Sequence, residues 1–207
     1  MCSSDLKAGA HALEFPQRRP DLVDHMGGLG AHVVDQVRTT LGEFEGVSAS
    51  LPLVADRSMT AEDSYTVHFR TRTGVDGVMQ STAGAYGPPL FVTRVAGTAG
   101  TAWVDFDTVS IADADGQRQV PVPEDLVLAP PDAPPADLLV TAYDQLHAFG
   151  IDLPPYTRLY ETFAALIDGR AVPDDPRPAT FADGVADMAV LDAIRRSAAD
   201  QAWVAVT

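Results

Sequence analysis

Cysteine and lysine are nearly missing from this chain of 207 residues: there is one of each, Cys2 and Lys7. A lone cysteine excludes an internal disulfide framework and a cysteine-based zinc site. With one lysine, any chemistry that needs an active-site amine must use Lys7 or find its lysine elsewhere. Positive charge is scarce as well, with 14 Lys and Arg against 29 Asp and Glu and a formal net charge of −15. So acidic a surface repels phosphate backbones and anionic headgroups, which disfavours nucleic acid and membrane surfaces as partners. No apolar run approaches the roughly 20 residues that span a bilayer. The start carries no apolar signal-peptide core. G-x-G-x-x-G and G-x-S-x-G do not occur, and no His/Asp/Glu grouping has zinc or calcium spacing. A cytoplasmic protein without a metal site is the expectation.

What is present is a domain's worth of core. Apolar residues make up 46% of the chain, enough for one globular domain with ragged ends. Residues 1–6 are an odd opening. Met1-Cys2-Ser3-Ser4-Asp5-Leu6 looks like the translated end of a sequencing adaptor, which would leave the true upstream sequence missing. The alternative is a natural polar N-terminus. Residues 7–26 read as a connecting segment, with a short extended stretch at Ala10–Phe15, and residues 27–207 as one domain.

Gly27-Gly28-Leu29-Gly30 opens a helix with Val33, Val34, Val37 and Leu41 on one stripe and Gln36, Arg38 and Thr39 off it. Gly42 ends it. Strands are predicted over 46–54, 64–72, 75–83, 90–96, 101–105, 108–112 and 119–122. In the second of these Tyr65, Val67 and Phe69 face one way and Thr66, His68 and Arg70 the other. Short connections make the sheet largely antiparallel. Beyond a Pro/Asp-rich loop over 121–137, helices are expected at Ala136–Phe149 and Tyr156–Asp168. A last helix has Thr180 as its N-cap and a buried stripe of Met188, Leu191, Ile194 and Ala198. Trp203–Val206 closes as a strand. The fold class is α+β: an open, largely antiparallel or mixed sheet of about six strands with helices on one face.

Four pieces, in order, resemble one family. Gly27–Asp35 is similar to the Gly-rich H-x-x-D helix start in the C-terminal domain of the Gfo/Idh/MocA oxidoreductases (glucose–fructose oxidoreductase, inositol dehydrogenase and relatives). Leu41–Val47 resembles that domain's passage into its first long strand, and Arg94–Ala102 its R-x-x-G-x-x-G hairpin. Phe181–Gly184 with Val190–Ile194 resembles its closing helix. The resemblance implies a second, N-terminal Rossmann domain carrying the nucleotide loop and a catalytic lysine, both missing from this sequence. It implies NAD or NADP in the intact protein, none bound by this chain alone, and a homo-oligomer formed through the exposed sheet face.

The resemblance makes His32 the candidate catalytic residue, able to take a hydroxyl proton near neutral pH; the alternative is a histidine that caps the helix. Asp35, one turn on, either orients that imidazole or binds a substrate hydroxyl, or is a solvated or Arg38-paired carboxylate. Many family members carry Asp four residues before the histidine, where this chain has Gly28. Gln80, Arg94 and Tyr156 are candidate polyol contacts, with Arg158 beside the last. His68 reads as a sheet-surface or interface residue, and His11, His25 and His147 show no partner pattern. The function expected is the substrate-side half of an NAD(P)-dependent oxidoreductase acting on a sugar, cyclitol or related hydroxy compound, inactive alone. The competing reading is a stand-alone binding or assembly module of the same fold.

Overall fold

The computed structural model describes residues 25–56, 58, 60–84, 90–106, 108–124, 127, 154–172 and 177–207. The extended stretch expected at Ala10–Phe15 and the helix expected at Ala136–Phe149 lie outside them, as do His11 and His147. In chain order the elements are a π-helical turn (Met26–Gly30), α1 (Ala31–Leu41), β1 (Phe44–Ser50), β2 (Ser64–Thr71), β3 (Asp76–Thr82) and β4 (Val92–Gly97). After these come β5 (Gly100–Asp105), β6 (Thr108–Asp113), β7 (Gly116–Val120), α2 (Pro154–Ile167), α3 (Phe181–Asp200) and β8 (Val204–Ala205).

The class is α+β, and every pair of described strands is antiparallel. The strands are divided between two four-stranded sheets, ordered β3-β2-β1-β8 and β4-β5-β6-β7. Short hairpin turns read alike in sequence whether one sheet or two result, and among the described residues no ladder joins β3 to β4.

These sheets belong to two compact units. In the first, the inner face of the sheet presents Val47, Tyr65, Val67, Phe69 and Met79. Val34 of α1 and Val190, Leu191, Ala193 and Ile194 of α3 close over it, and the twelve-residue cluster is completed by Met26 and Phe44. Each large apolar side chain buried this way contributes on the order of 1.5–3 kcal/mol. Alternation along β2 is as the sequence foretells, with Tyr65, Val67 and Phe69 buried and Thr66, His68 and Arg70 exposed.

Helix ends follow local chemistry. Gly42 stops α1 with a φ of +103°, a region that residues with a Cβ rarely adopt. Thr180 begins α3 with a capping box: its backbone N–H and hydroxyl both reach Asp183 Oδ2 at 2.7 Å. The buried stripe of α3 differs from expectation. Val190, Leu191, Ala193, Ile194 and Ser197 point inward while Met188 is half-exposed, because the helix meets the sheet only over its later turns. Ser197 is buried without cost, accepting from Ala49 N–H at 2.9 Å and donating to the Ala202 carbonyl at 2.5 Å.

In the second unit the register sorts side chains cleanly. Val95, Val104, Val109, Ile111 and Val120 share one face, and Arg94, Trp103, Ser110 and Gln119 form a cross-strand row on the other. Little is buried there; Ser110 and, on α2, Ala165 are the buried residues among those described.

Candidate functional site

His32 is the second residue of α1 and is exposed. One helical turn before it the surface is open: a Cβ built on Gly28 would meet no atom within 4 Å. Asp35 is half-buried on the next turn, and among the described residues no hydrogen bond joins it to His32. Its negative charge is felt instead at Asp187 of α3. An exposed imidazole with free access from the Gly28 side can take a proton from a hydroxyl brought to it.

The segment leading into this histidine is held more firmly than the sequence suggests. His25 is buried at 6% exposure, and its Nε2 lies 2.9 Å from Ser81 Oγ at the end of β3. Its ring tilts against Tyr65, with centroids 5.4 Å apart. Burial lowers the His25 pKa, partly opposed by the negative charge of Asp63. His25 N–H donates to the Glu62 carbonyl at 3.2 Å, Met26 N–H to Glu62 Oε1 at 3.2 Å, and Gly30 N–H back to the His25 carbonyl at 3.1 Å. That last bond spans five residues and makes the turn π-helical. A Cβ at Gly30 would press on the far end of the Met26 side chain. Asp63 is fully buried and satisfied, accepting from Val54 N–H at 2.8 Å, Ala55 N–H at 2.9 Å and Ser64 Oγ at 2.9 Å.

Arg38 is the other residue the periodicity misplaced. Expected on the polar side of α1, it is buried, and its guanidinium holds Glu43 through Nε at 2.9 Å and Nη2 at 2.8 Å. Nη1 reaches Asp187 Oδ1 at 2.6 Å and the Asp183 carbonyl at 2.9 Å. These hydrogen bonds raise the Arg38 pKa, and the reciprocal bond lowers that of Glu43. Asp187 moves the other way: burial raises it, with Asp35 and Asp183 adding to the rise against the pull of Arg38. The Asp35–Arg38 pairing weighed from sequence therefore gives way to a clamp joining α1, the connection that follows it and α3.

The remaining candidates do not assemble around His32 within one unit. Gln80 is exposed on β3, paired with Thr66 on the sheet face opposite the helices. His68 lies on that same outer face, 3.7 Å from Asp76 and with its ring 5.5 Å from the indole of Trp203. Arg94 on β4 and Tyr156 on α2 are exposed residues of the second unit, Arg94 directly across from Trp103. An open cavity of about 410 Å³ lies between the end of β1 and the last turn of α3, lined by residues that include Ser48, Ser50, Leu51 and Gln201. None of the candidate site residues lines it. Among the described residues no three His, Cys, Asp or Glu gather to hold a metal ion. None of their helices is long and apolar enough to cross a membrane.

A glycine-opened helix bearing an exposed histidine, set on an antiparallel α+β sheet, differs from the parallel strand-turn-helix of a nucleotide-binding fold. Residues 23–103 match the GFO/IDH/MocA C-terminal domain family, a stretch that includes His32, Asp35, Gln80 and Arg94. The fold is similar to that of a levoglucosan dehydrogenase solved with NADH and levoglucosan, at 26% identity and a TM-score of 0.62, covering 86% of this chain and 49% of that one. It also resembles the WlbA dehydrogenase from Bordetella pertussis, solved with NADH and UDP-GlcNAcA (19% identity, TM-score 0.54, 88% and 47% covered). An oxidoreductase from Agrobacterium radiobacter in complex with NAD+, L-tartaric acid and magnesium matches at 18% identity and a TM-score of 0.60, with 87% and 48% covered. At those last two identities the likeness is one of fold. This chain spans about half the length of the structures it matches. No curated protein sequence matches it.

A dinucleotide needs a parallel strand running into a glycine-rich turn at a helix N-terminus. The described strands are antiparallel throughout, and the sequence holds no G-x-G-x-x-G. Among the described residues no such cradle is formed.

Proposed function

We propose that this chain is the substrate-side domain of an NAD(P)-dependent oxidoreductase acting on a sugar, cyclitol or related hydroxy compound. The observation that carries the reading is His32, exposed at the start of a helix in the stretch that matches the family domain. His32 accepts the substrate's hydroxyl proton, and the nucleotide is held by residues other than those described. Asp35, one helical turn on, is offered to another of the substrate's hydroxyls. Alone, the 207-residue chain binds no NAD(P) and turns nothing over. The outward sheet face around His68 and Trp203 is the surface for a second copy, and the cytoplasm is the compartment.

Two measurements test this. Isothermal titration of NADH into the chain gives no heat of binding; micromolar affinity overturns the claim that the cradle lies elsewhere. Expressed in frame with its upstream genomic sequence, the protein oxidises members of a sugar and cyclitol panel with NAD+ or NADP+. There His32→Ala lowers kcat/KM about 10²–10⁴-fold. A promoter and stop codon directly upstream would instead favour the stand-alone binding module, a reading supported by the half-exposed Trp203 on the open sheet face.

A further inference from the structure

We propose that His25 is a positioning residue for His32: its neutral imidazole, wedged between Ser81 and Tyr65, fixes the π-helical turn that delivers the start of α1. The inference rests on reading His32 as the proton acceptor, but its structural content stands apart from catalysis.

The geometry runs in one direction. Ser81 Oγ, on β3, meets the His25 ring at 2.9 Å. Tyr65, on β2, is held to the same Ser81 hydroxyl and lies against that ring. The His25 main chain is tied to Glu62 through its N–H and to Gly30 through its carbonyl. Gly30 is the residue on which α1 begins, two positions before His32. A buried side chain on one side of the turn therefore fixes an exposed functional side chain on the other. His25 cannot be charged without disturbing this seat, because the cost of burying a protonated ring outweighs the offset from the negative charge of Asp63. The other ionisable groups facing it are Tyr65, itself raised by burial, and Glu62, whose carboxylate is engaged by Met26 N–H.

The sign follows from the lowered His25 pKa. Above about pH 6.5 the imidazole is neutral both folded and unfolded, and the anchor is intact. As pH falls below that value the unfolded or opened segment binds the proton first. The anchor loses stability until the folded-state pKa is passed.

Amide hydrogen exchange on the 207-residue chain tests the proposal. With His25→Ala, or with Ser81→Ala should the former fail to fold, exchange at Gly30 and residues 31–34 rises about tenfold, while amides at Leu191 and Ile194 keep their protection. His25→Gln, which retains a hydrogen-bonding group of similar reach, restores most of it. In the wild type the same residues loosen below about pH 6.5 after correction for intrinsic exchange, and in His25→Gln they do not. Equal acceleration at Leu191 and Ile194, unchanged exchange at residues 30–34, or loosening at low pH that persists in His25→Gln would each overturn it. Failure of the oxidoreductase reading would leave these exchange rates untouched.

Discussion

In the first unit Val34, Val47, Val67 and Ile194 are shut off from water, whereas in the second Val92, Val95, Val104 and Val120 stand at least 36% exposed. Both sheets are antiparallel and both alternate. Alternation decides which face a side chain joins, but a covering layer decides whether that face is buried, and in the first unit α1 and α3 supply it. Stability is therefore concentrated in one half of the described molecule.

Each unit holds one of the chain's two tryptophans, Trp103 in the second and Trp203 in the first. Single-tryptophan variants in a urea series should show Trp103 reporting an earlier transition than Trp203; coincident curves would break the contrast. The largest mutational effect belongs to the covered core. Ile194→Ala costs about 3 kcal/mol in chemical denaturation, against less than about 1 kcal/mol for Val104→Ala. Arg38→Ala follows closely at about 3 kcal/mol, because it leaves Asp187 partly buried and uncompensated, and Arg38→Lys recovers only part of that. Gly46→Ala ranks third at about 1–2 kcal/mol, since the new methyl would meet the Trp203 indole at 2.6 Å. Gly28→Asp is the smallest, within about 0.5 kcal/mol by thermal melting, as nothing stands in its way.

Local chemistry was legible in the sequence. The Tyr65–Phe69 alternation, the Thr180 cap and the Gly42 stop each depend on residues within a few positions of one another, and each is found in the structure. Long-range partnerships were not. Arg38 looks like a polar-face residue until Asp187, 149 positions away, reaches it. His25 shows no partner pattern because Ser81 lies 56 positions on. The same limit explains the sheet count: hairpin periodicity marks strands but not where one ladder stops. Of the candidate site, His32 and its access were legible through the glycines before it, whereas the buried anchor behind it was not.

The bond from Ala49 to Ser197 bridges 148 positions, and β8 pairs with β1 over a still longer span. During synthesis, β1, β2 and β3 emerge well before the helix that roofs them. Their oily face must wait, exposed to chaperones and to other nascent chains, until α3 has been made. The second unit's hairpins, closed by neighbours only a few residues apart, face no such delay. The better-packed half of the molecule is thus the one that finishes last.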